Sequence, residues 1–202
     1  VGKMGKTERN GVDPQELIDQ YGADTARLFV MFVGGPEDSA VWSDTAVEGA
    51  QRYLRRVWIW CTQHREAIAG AELTTVDVST LSTLSTALKD VRFEVHAALK
   101  QANFDYERMQ YNTVVSAAMK MLNALESVEG TAQSTPVLHE GAAILLRVLY
   151  PIAPHITVTL WDALGFTHSL GNLLDADWPE PAPEALVRDE IEVCVQVNGK
   201  LR

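Results

Sequence analysis

The sequence predicts a mainly α-helical protein: a basic loop with a short helical stem, then an antiparallel α-helical bundle, then the start of a truncated β-hairpin. Three observations predict it. Between residues 44 and 165 apolar residues recur at steps of three and four, the spacing that gathers them on one helix face. Gly and Pro clusters at Gly34-Gly35-Pro36, Pro151 and Pro154, and Gly165 stop those patterns, as helix breakers do. Past residue 190 the period switches to two and meets an Asn-Gly pair, a strand and turn signal. The expected units are 1–43, a loop and connecting helical module; 44–171, the bundle; and 172–202, an acidic linker with the start of a hairpin.

The chain opens with Lys3-Met4-Gly5-Lys6-Thr7. Two lysines three apart around a glycine put two mobile ammonium groups on a loop whose backbone can approach a ligand closely. That suits polyphosphate, whose oxygens gain charge in a transition state; a solvated basic loop is the plain alternative. Gly5-Lys6-Thr7 also imitates the end of a P-loop, where the Lys-Thr pair opens a helix directly. Here Asn10-Gly11 and Asp13-Pro14 interpose turns and delay the helix to Pro14, which argues against that motif. The first helix runs from Pro14 to about Gln20, with Asp13 as N-cap, Pro14 in the first turn and Glu16 placed for a capping box. A second runs from Ala23 to about Val33; on it Asp24 and Arg27 stand three apart, within pairing reach, as groups that hold the stem together.

The bundle begins with a long helix from Asp44 to about Ala69, with Val47, Ala50, Leu54, Val57, Trp58 and Cys61 on one face. Arg52, Arg55 and Arg56 lie at i, i+3 and i+4 and share a surface, either a solvated basic face or one that meets nucleic-acid phosphates. After a polar link over 71–79, a fourth helix from Thr80 to Ala102 carries Leu84, Leu88, Val91, Val95 and Ala98 as the seam of an antiparallel bundle. Asn103-Phe104-Asp105 is expected to turn the chain into a fifth helix, Tyr106 to about Ser127. Met109, Met119 and Met121 read as core or near-core filler and not as a ligand set. A sixth helix spans Thr135 to about Tyr150, and a short seventh carries His155 and Trp161 up to Gly165. His155 reads as a structural histidine at a helix start, with no nucleophile or second metal ligand beside it, so no metal site is expected.

From Asp175 to Glu184 the chain is rich in Pro and acid, a linker by composition. Ile191, Val193, Val195 and Val197 then alternate with polar residues, and Asn198-Gly199 is a hairpin turn. Three residues remain after it. The unfinished hairpin, and an opening without a methionine, lead to the expectation that this polypeptide is part of a longer one.

Composition narrows the class. Of 202 residues 47% are hydrophobic, yet no run approaches the roughly twenty apolar residues of a membrane span. Cys61 and Cys194 give neither a disulfide framework nor a metal spacing, so a reducing compartment and a cytoplasmic location are expected. The net charge of −10 counts against a simple nucleic-acid-binding module. Acid crowds the end of the chain, however, and a basic stripe on an acidic protein still meets phosphates, with salt-sensitive affinity.

Lys3-Met4-Gly5-Lys6-Thr7 resembles the KMSKS signature of class I aminoacyl-tRNA synthetases, with both lysines present and the two serines replaced by Gly5 and Thr7. Asn10-Gly11-Val12-Asp13-Pro14, Tyr21-Gly22-Ala23-Asp24 and Arg27-Leu28-Phe29 resemble the stretch C-terminal to that signature in the leucine, isoleucine and valine enzymes. The runs Pro36 to Asp44, Val47 to Ala50, Pro151 to His155 and Val195 to Lys200 are most similar to the leucyl branch. The resemblance spans essentially the whole chain. It implies an enzyme that joins leucine to its tRNA with ATP and Mg²⁺, in which Lys3 and Lys6 are catalytic and Lys3, Met4, Gly5, Lys6 and Thr7 bind ATP. It implies that the bundle is an anticodon-binding-type domain bracing the tRNA body, with Arg52, Arg55 and Arg56 as tRNA contacts, and that the parent is monomeric. No HIGH-type signature occurs here, so the chain alone is expected to be inactive and to hold no cofactor. The same region of an isoleucyl-, valyl- or methionyl-tRNA synthetase, and a non-catalytic helical protein-interaction domain, remain as alternatives.

Overall fold

The structure, a computed structural model, describes residues 4, 7, 11–35, 37, 41–71, 83–187, 196–197 and 200–201, the last two pairs by backbone alone. Lys3, Gly5 and Lys6, most of the link expected over 71–79, and the strand expected before Gln196 lie outside the described residues.

Helix α1 covers Pro14–Tyr21 and α2 Ala23–Phe32. The Asp13 carboxylate accepts from the Gln15 amide at 2.9 Å, which satisfies one of the donors a helix start leaves open. Gly22, at φ 86, makes the corner between the two helices, a conformation that favours glycine. Helix α3 covers Asp44–Gln63, capped by the Ser43 hydroxyl, and Trp42 just before it packs edge-on against Phe29 of α2 at 4.9 Å.

The single helix expected over 44–69 is broken once. At His64 (φ −97, ψ 6) the backbone leaves helical geometry and a separate α4, Arg65–Ala69, begins. The His64 ring is held over Trp60 at 4.8 Å and its Nδ1 lies 2.9 Å from the Trp60 carbonyl. The change of direction buries Ile68 and lets Arg65 donate to the Ala163 carbonyl at 3.1 Å.

Helix α5 covers Thr86–Glu107, capped by Ser85, and runs straight through the turn expected at 103–105. Tertiary partners explain the extension: Asp105 is buried and accepts from Gln101 at 2.9 Å, and the Tyr106 hydroxyl donates to the Val148 carbonyl at 2.7 Å. The turn comes instead at Met109, φ 58. The Gln110 amide donates to the Asp105 carbonyl and the Met109 amide to that of Tyr106, the pair of bonds of a Schellman ending. Met109 is therefore exposed and is neither core nor near-core filler, whereas Met121 is fully buried and Met119 packs at the core edge.

Helix α6 covers Tyr111–Glu126, α7 Thr135–Leu149, α8 Pro154–Ala163 and α9 Phe166–Leu170. Helix α7 is the centre of the bundle: Leu138, Ala142, Leu145, Leu146 and Leu149 are all without solvent exposure. A Cβ on Gly141 would come within 2.4 Å of Leu125, so the glycine lets α7 approach α6 closely. One hydrophobic core takes in Leu17, Leu28 and Phe29 of the stem helices together with the bundle.

The stretch composition reads as a linker is strapped onto the bundle. Trp178 donates to Asn103 at 2.9 Å, Asn103 to the Pro179 carbonyl at 3.2 Å, and Arg147 to the Asp177 carbonyl at 2.9 Å. Beyond these contacts comes a single 3-10 turn, Pro183–Leu186. Near the end Gln196–Val197 pairs antiparallel with Lys200–Leu201.

Candidate nucleic-acid interface

Helix α8 starts after Ala153, a residue with no side chain to cap it, so its first amides need acceptors from elsewhere. Asp24 supplies them from α2. Its Oδ2 accepts from the Ile156 amide at 2.7 Å, and its Oδ1 accepts from the His155 Nδ1 at 2.7 Å, with the His155 amide 3.4 Å away. One turn on, Arg27 donates through Nε to the Ile152 carbonyl at 2.9 Å and through Nη2 to that of Pro151 at 2.8 Å. Pro154, lacking an N–H, cannot donate to the Pro151 carbonyl three residues before it, and the His155 and Ile156 amides, which follow the Ile152 carbonyl by three and four residues, are turned to Asp24. A carboxylate thus meets the positive start of α8, and a guanidinium the carbonyls just past α7. Asp24 and Arg27, spaced to pair with each other, both reach across to the Pro151–Ile156 turn instead. They clamp the stem that carries the lysine loop to the bundle.

Beside the clamp opens a cleft of about 650 Å³, walled by α3, α8 and the α1–α2 corner. Gln51, Arg55 and Trp58, at i, i+4 and i+7 on α3, face Thr159 and His155, at i+4 and i on α8. Trp58 is 44% exposed and the His155 side chain 75%. The three arginines part company here. Arg55 lines the cleft and has no ion pair among the described residues. Arg56 turns to α6, where Glu126 pairs with it and Asn123 accepts at 2.7 Å; the hydrogen bonds it donates to the Glu126 carboxylate hold its guanidinium above the ordinary value. Arg52 stands 3.8 Å from Glu48 on α3 itself. Of the loop residues, Met4 and Thr7 are described and both are exposed.

Burial pushes the Cys61 thiol up to about 12, so it is a protonated core residue and not a nucleophile. Among the described residues no cluster of His, Cys, Asp and Glu is arranged to hold a metal, and no helix is long and apolar enough to cross a membrane.

The sequence reading missed a buried polar network between α5, α7 and the C-terminal strap. Arg92, 3% exposed, donates from Nε and Nη2 to the two oxygens of Glu140, at 2.7 and 3.0 Å, and from Nη2 to Glu184 at 3.2 Å. The Ala182 amide donates to His96 Nδ1 at 3.1 Å, which assigns the ring proton to Nε2, 3.2 Å from Glu140. Burial works to raise the Glu140 pKa, but His96 and Arg92 outweigh it and hold the carboxyl below its ordinary value. The signal was present: Arg92 and His96, at i and i+4, each come directly after a seam position, Val91 and Val95.

Residues 89–202 match the family described as the anticodon-binding domain of tRNA ligase. The chain belongs to that family, and its helical bundle is such a domain. Over its whole length it is 55% identical to the leucine–tRNA ligases of Bordetella petrii and Polynucleobacter asymbioticus, and 54% to that of Ralstonia nicotianae. It spans only 22 to 23% of the length of these relatives. Its fold superposes with a TM-score of 0.82, at 26% identity, on the LeuRS of Agrobacterium radiobacter in a crystal structure described as a ternary complex with tRNA and LeuAMS, covering 99% of this chain and 25% of that one.

Proposed function

We propose that this chain is the signature loop and tRNA-binding helical region of a leucine–tRNA ligase, an enzyme that joins leucine to its tRNA with ATP. The observation that carries the reading is 55% identity over the entire chain to leucine–tRNA ligases, with Lys3 and Lys6 in a loop of the KMSKS kind. In that enzyme Lys3 and Lys6 stabilise the charge that develops on the α-phosphate and the departing pyrophosphate as leucine is adenylated, and Met4, Gly5 and Thr7 shape the loop around ATP and its Mg²⁺. The rest of the catalytic machinery lies in other parts of the ligase, so this chain alone does not catalyse. The bundle takes the tRNA, and of the three arginines Arg55 is the one best placed to reach a phosphate, because Arg56 is held by Glu126. On this reading the ligase is a monomer of the cytoplasm.

The loop assignment is tested in the full-length ligase. Lys6→Ala is expected to slow leucine-dependent ATP–pyrophosphate exchange by roughly two to four orders of magnitude, the scale of losing a transition-state charge stabiliser, with a much smaller change in KM for leucine. Unchanged exchange would remove the catalytic role from Lys6.

A further inference from the structure

We propose that the cleft between α3, α8 and the α1–α2 corner receives one unstacked nucleotide of the tRNA, with Trp58 as the stacking surface and Arg55 as the phosphate clamp. The proposal rests on the tRNA-binding reading above and gives it a particular site. Four features of the cleft lead to this occupant.

Trp58 is left at the surface together with its neighbour Ile59, while Val57 and Trp60 of the same helix are buried in the core. The fold therefore does not need its ring for the core, and a half-exposed indole at the mouth of a cleft offers a flat π-face to a base. Arg55 sits one turn before it on the same wall. Its guanidinium is not spent on a carboxylate among the described residues, unlike that of Arg56. The rim carries groups able to meet a base edge. Thr159 already donates its hydroxyl proton to the His155 carbonyl at 2.9 Å and so presents an acceptor, while the Gln51 amide presents both a donor and an acceptor. His155 donates from Nδ1 to Asp24, which fixes its ring and leaves Nε2 facing outward.

The fourth feature is electrostatic. On a protein of net charge −10 a polyanion needs a place where the acid does not repel it. Among the described residues Asp24 is the one acidic side chain lining this cleft, and its charge is met by the Ile156 amide, the His155 ring and the start of α8. The cleft also has the volume of a small-ligand pocket.

The test is tRNA binding by the full-length ligase, using a leucine-acceptor transcript, measured over a range of salt for wild type, Trp58→Ala, Trp58→Phe and Arg55→Gln. A lost base stack is expected to weaken binding by about tenfold in Trp58→Ala, with the log-log salt slope unchanged because no counterion is involved. Trp58→Phe, which keeps a π-face, is expected to stay within about threefold of wild type on the same scale. Arg55→Gln is expected to weaken binding and flatten the slope by about one unit. If wild type binds and Trp58→Ala binds equally well, the nucleotide pocket is overturned while the tRNA reading stands. The pocket is equally overturned if Trp58→Phe loses as much affinity as Trp58→Ala and both melt earlier, since Trp58 is then packing. Absence of tRNA binding by wild type would overturn the tRNA reading itself.

Discussion

Met109 ends α5 at φ 58, where an L side chain crowds the next carbonyl at a cost of about 1–2 kcal/mol. Nothing compensates through burial, because its side chain is 56% exposed. The geometry is imposed by its neighbours: Tyr106 is anchored to Val148, and Gln110 must return its amide to Asp105. Met109→Gly removes the crowding and adds the extra unfolded-state entropy of glycine, about 0.5–1 kcal/mol. The expected net effect is a stabilisation of about 0.5–1 kcal/mol, read from denaturant unfolding. A loss of stability would show that the methionine side chain packs where the fold gives it no visible neighbour. At the same scale Gly22 and Gly165, at φ 86 and 80, already have the residue their corners require.

Between elements, the Asp24 and Arg27 clamp is the most exposed to substitution. Each forms hydrogen bonds in which one partner is charged, worth about 1.5–3 kcal/mol apiece. Asp24→Asn and Arg27→Met are each expected to destabilise by about that amount. The double variant should cost less than the sum, because both hold the same Pro151–Ile156 turn and groups in one network couple. Additive losses in thermal or denaturant unfolding would show that the two ends of the turn are held independently. This scale also shows what a sequence reveals. The starts of α1, α3 and α7 are legible, since Asp13-Pro14, Ser43 and Thr135-Pro136 are local signals, and so is the apolar stripe of each long helix. The cap of α8 is not, because Ala153 offers no polar side chain and the substitute, Asp24, lies 131 residues from the His155 amide it faces. The break at His64 and the extension of α5 to Glu107 were hidden for the same reason: Trp60, Ala163 and Val148 decide them through space. The arginine stripe was legible as a spacing, but Glu126 and Asn123, on another helix, decide that Arg56 leaves it. The strap over 173–187 reads as linker because its composition is Pro and acid, while its backbone partners Asn103, Arg147 and His96 are visible only once α5 and α7 are packed.

For the molecule as a whole the buried network at Glu140 sets how the fold responds to acid. Its carboxyl is held below its ordinary value by His96 and Arg92 despite burial. The unfolded chain therefore takes up a proton at Glu140 at a higher pH than the fold does, and the stability it contributes is present above the unfolded value of about 4.3 and lost as pH falls through the folded one. His139 acts in the same direction at higher pH. Burial against Phe166 lowers its pKa, so below about pH 6.5 the unfolded state binds a proton that the fold excludes. Stability is thus expected to decline from about pH 7 downward in two stages, the His139 stage first and the Glu140 stage below about pH 4.3. Glu140→Gln should lower stability by about 3–5 kcal/mol, because it leaves Arg92 buried with its main partner neutralised, and should flatten the acid stage alone. Glu184→Gln should do little, since Glu184 is an exposed partner and surface pairs contribute about 0–1 kcal/mol. Denaturant unfolding from about pH 8 to about pH 2 for the three proteins spans both stages and checks this, and a wild-type stability that rises on acidification would refute the assignment of both groups.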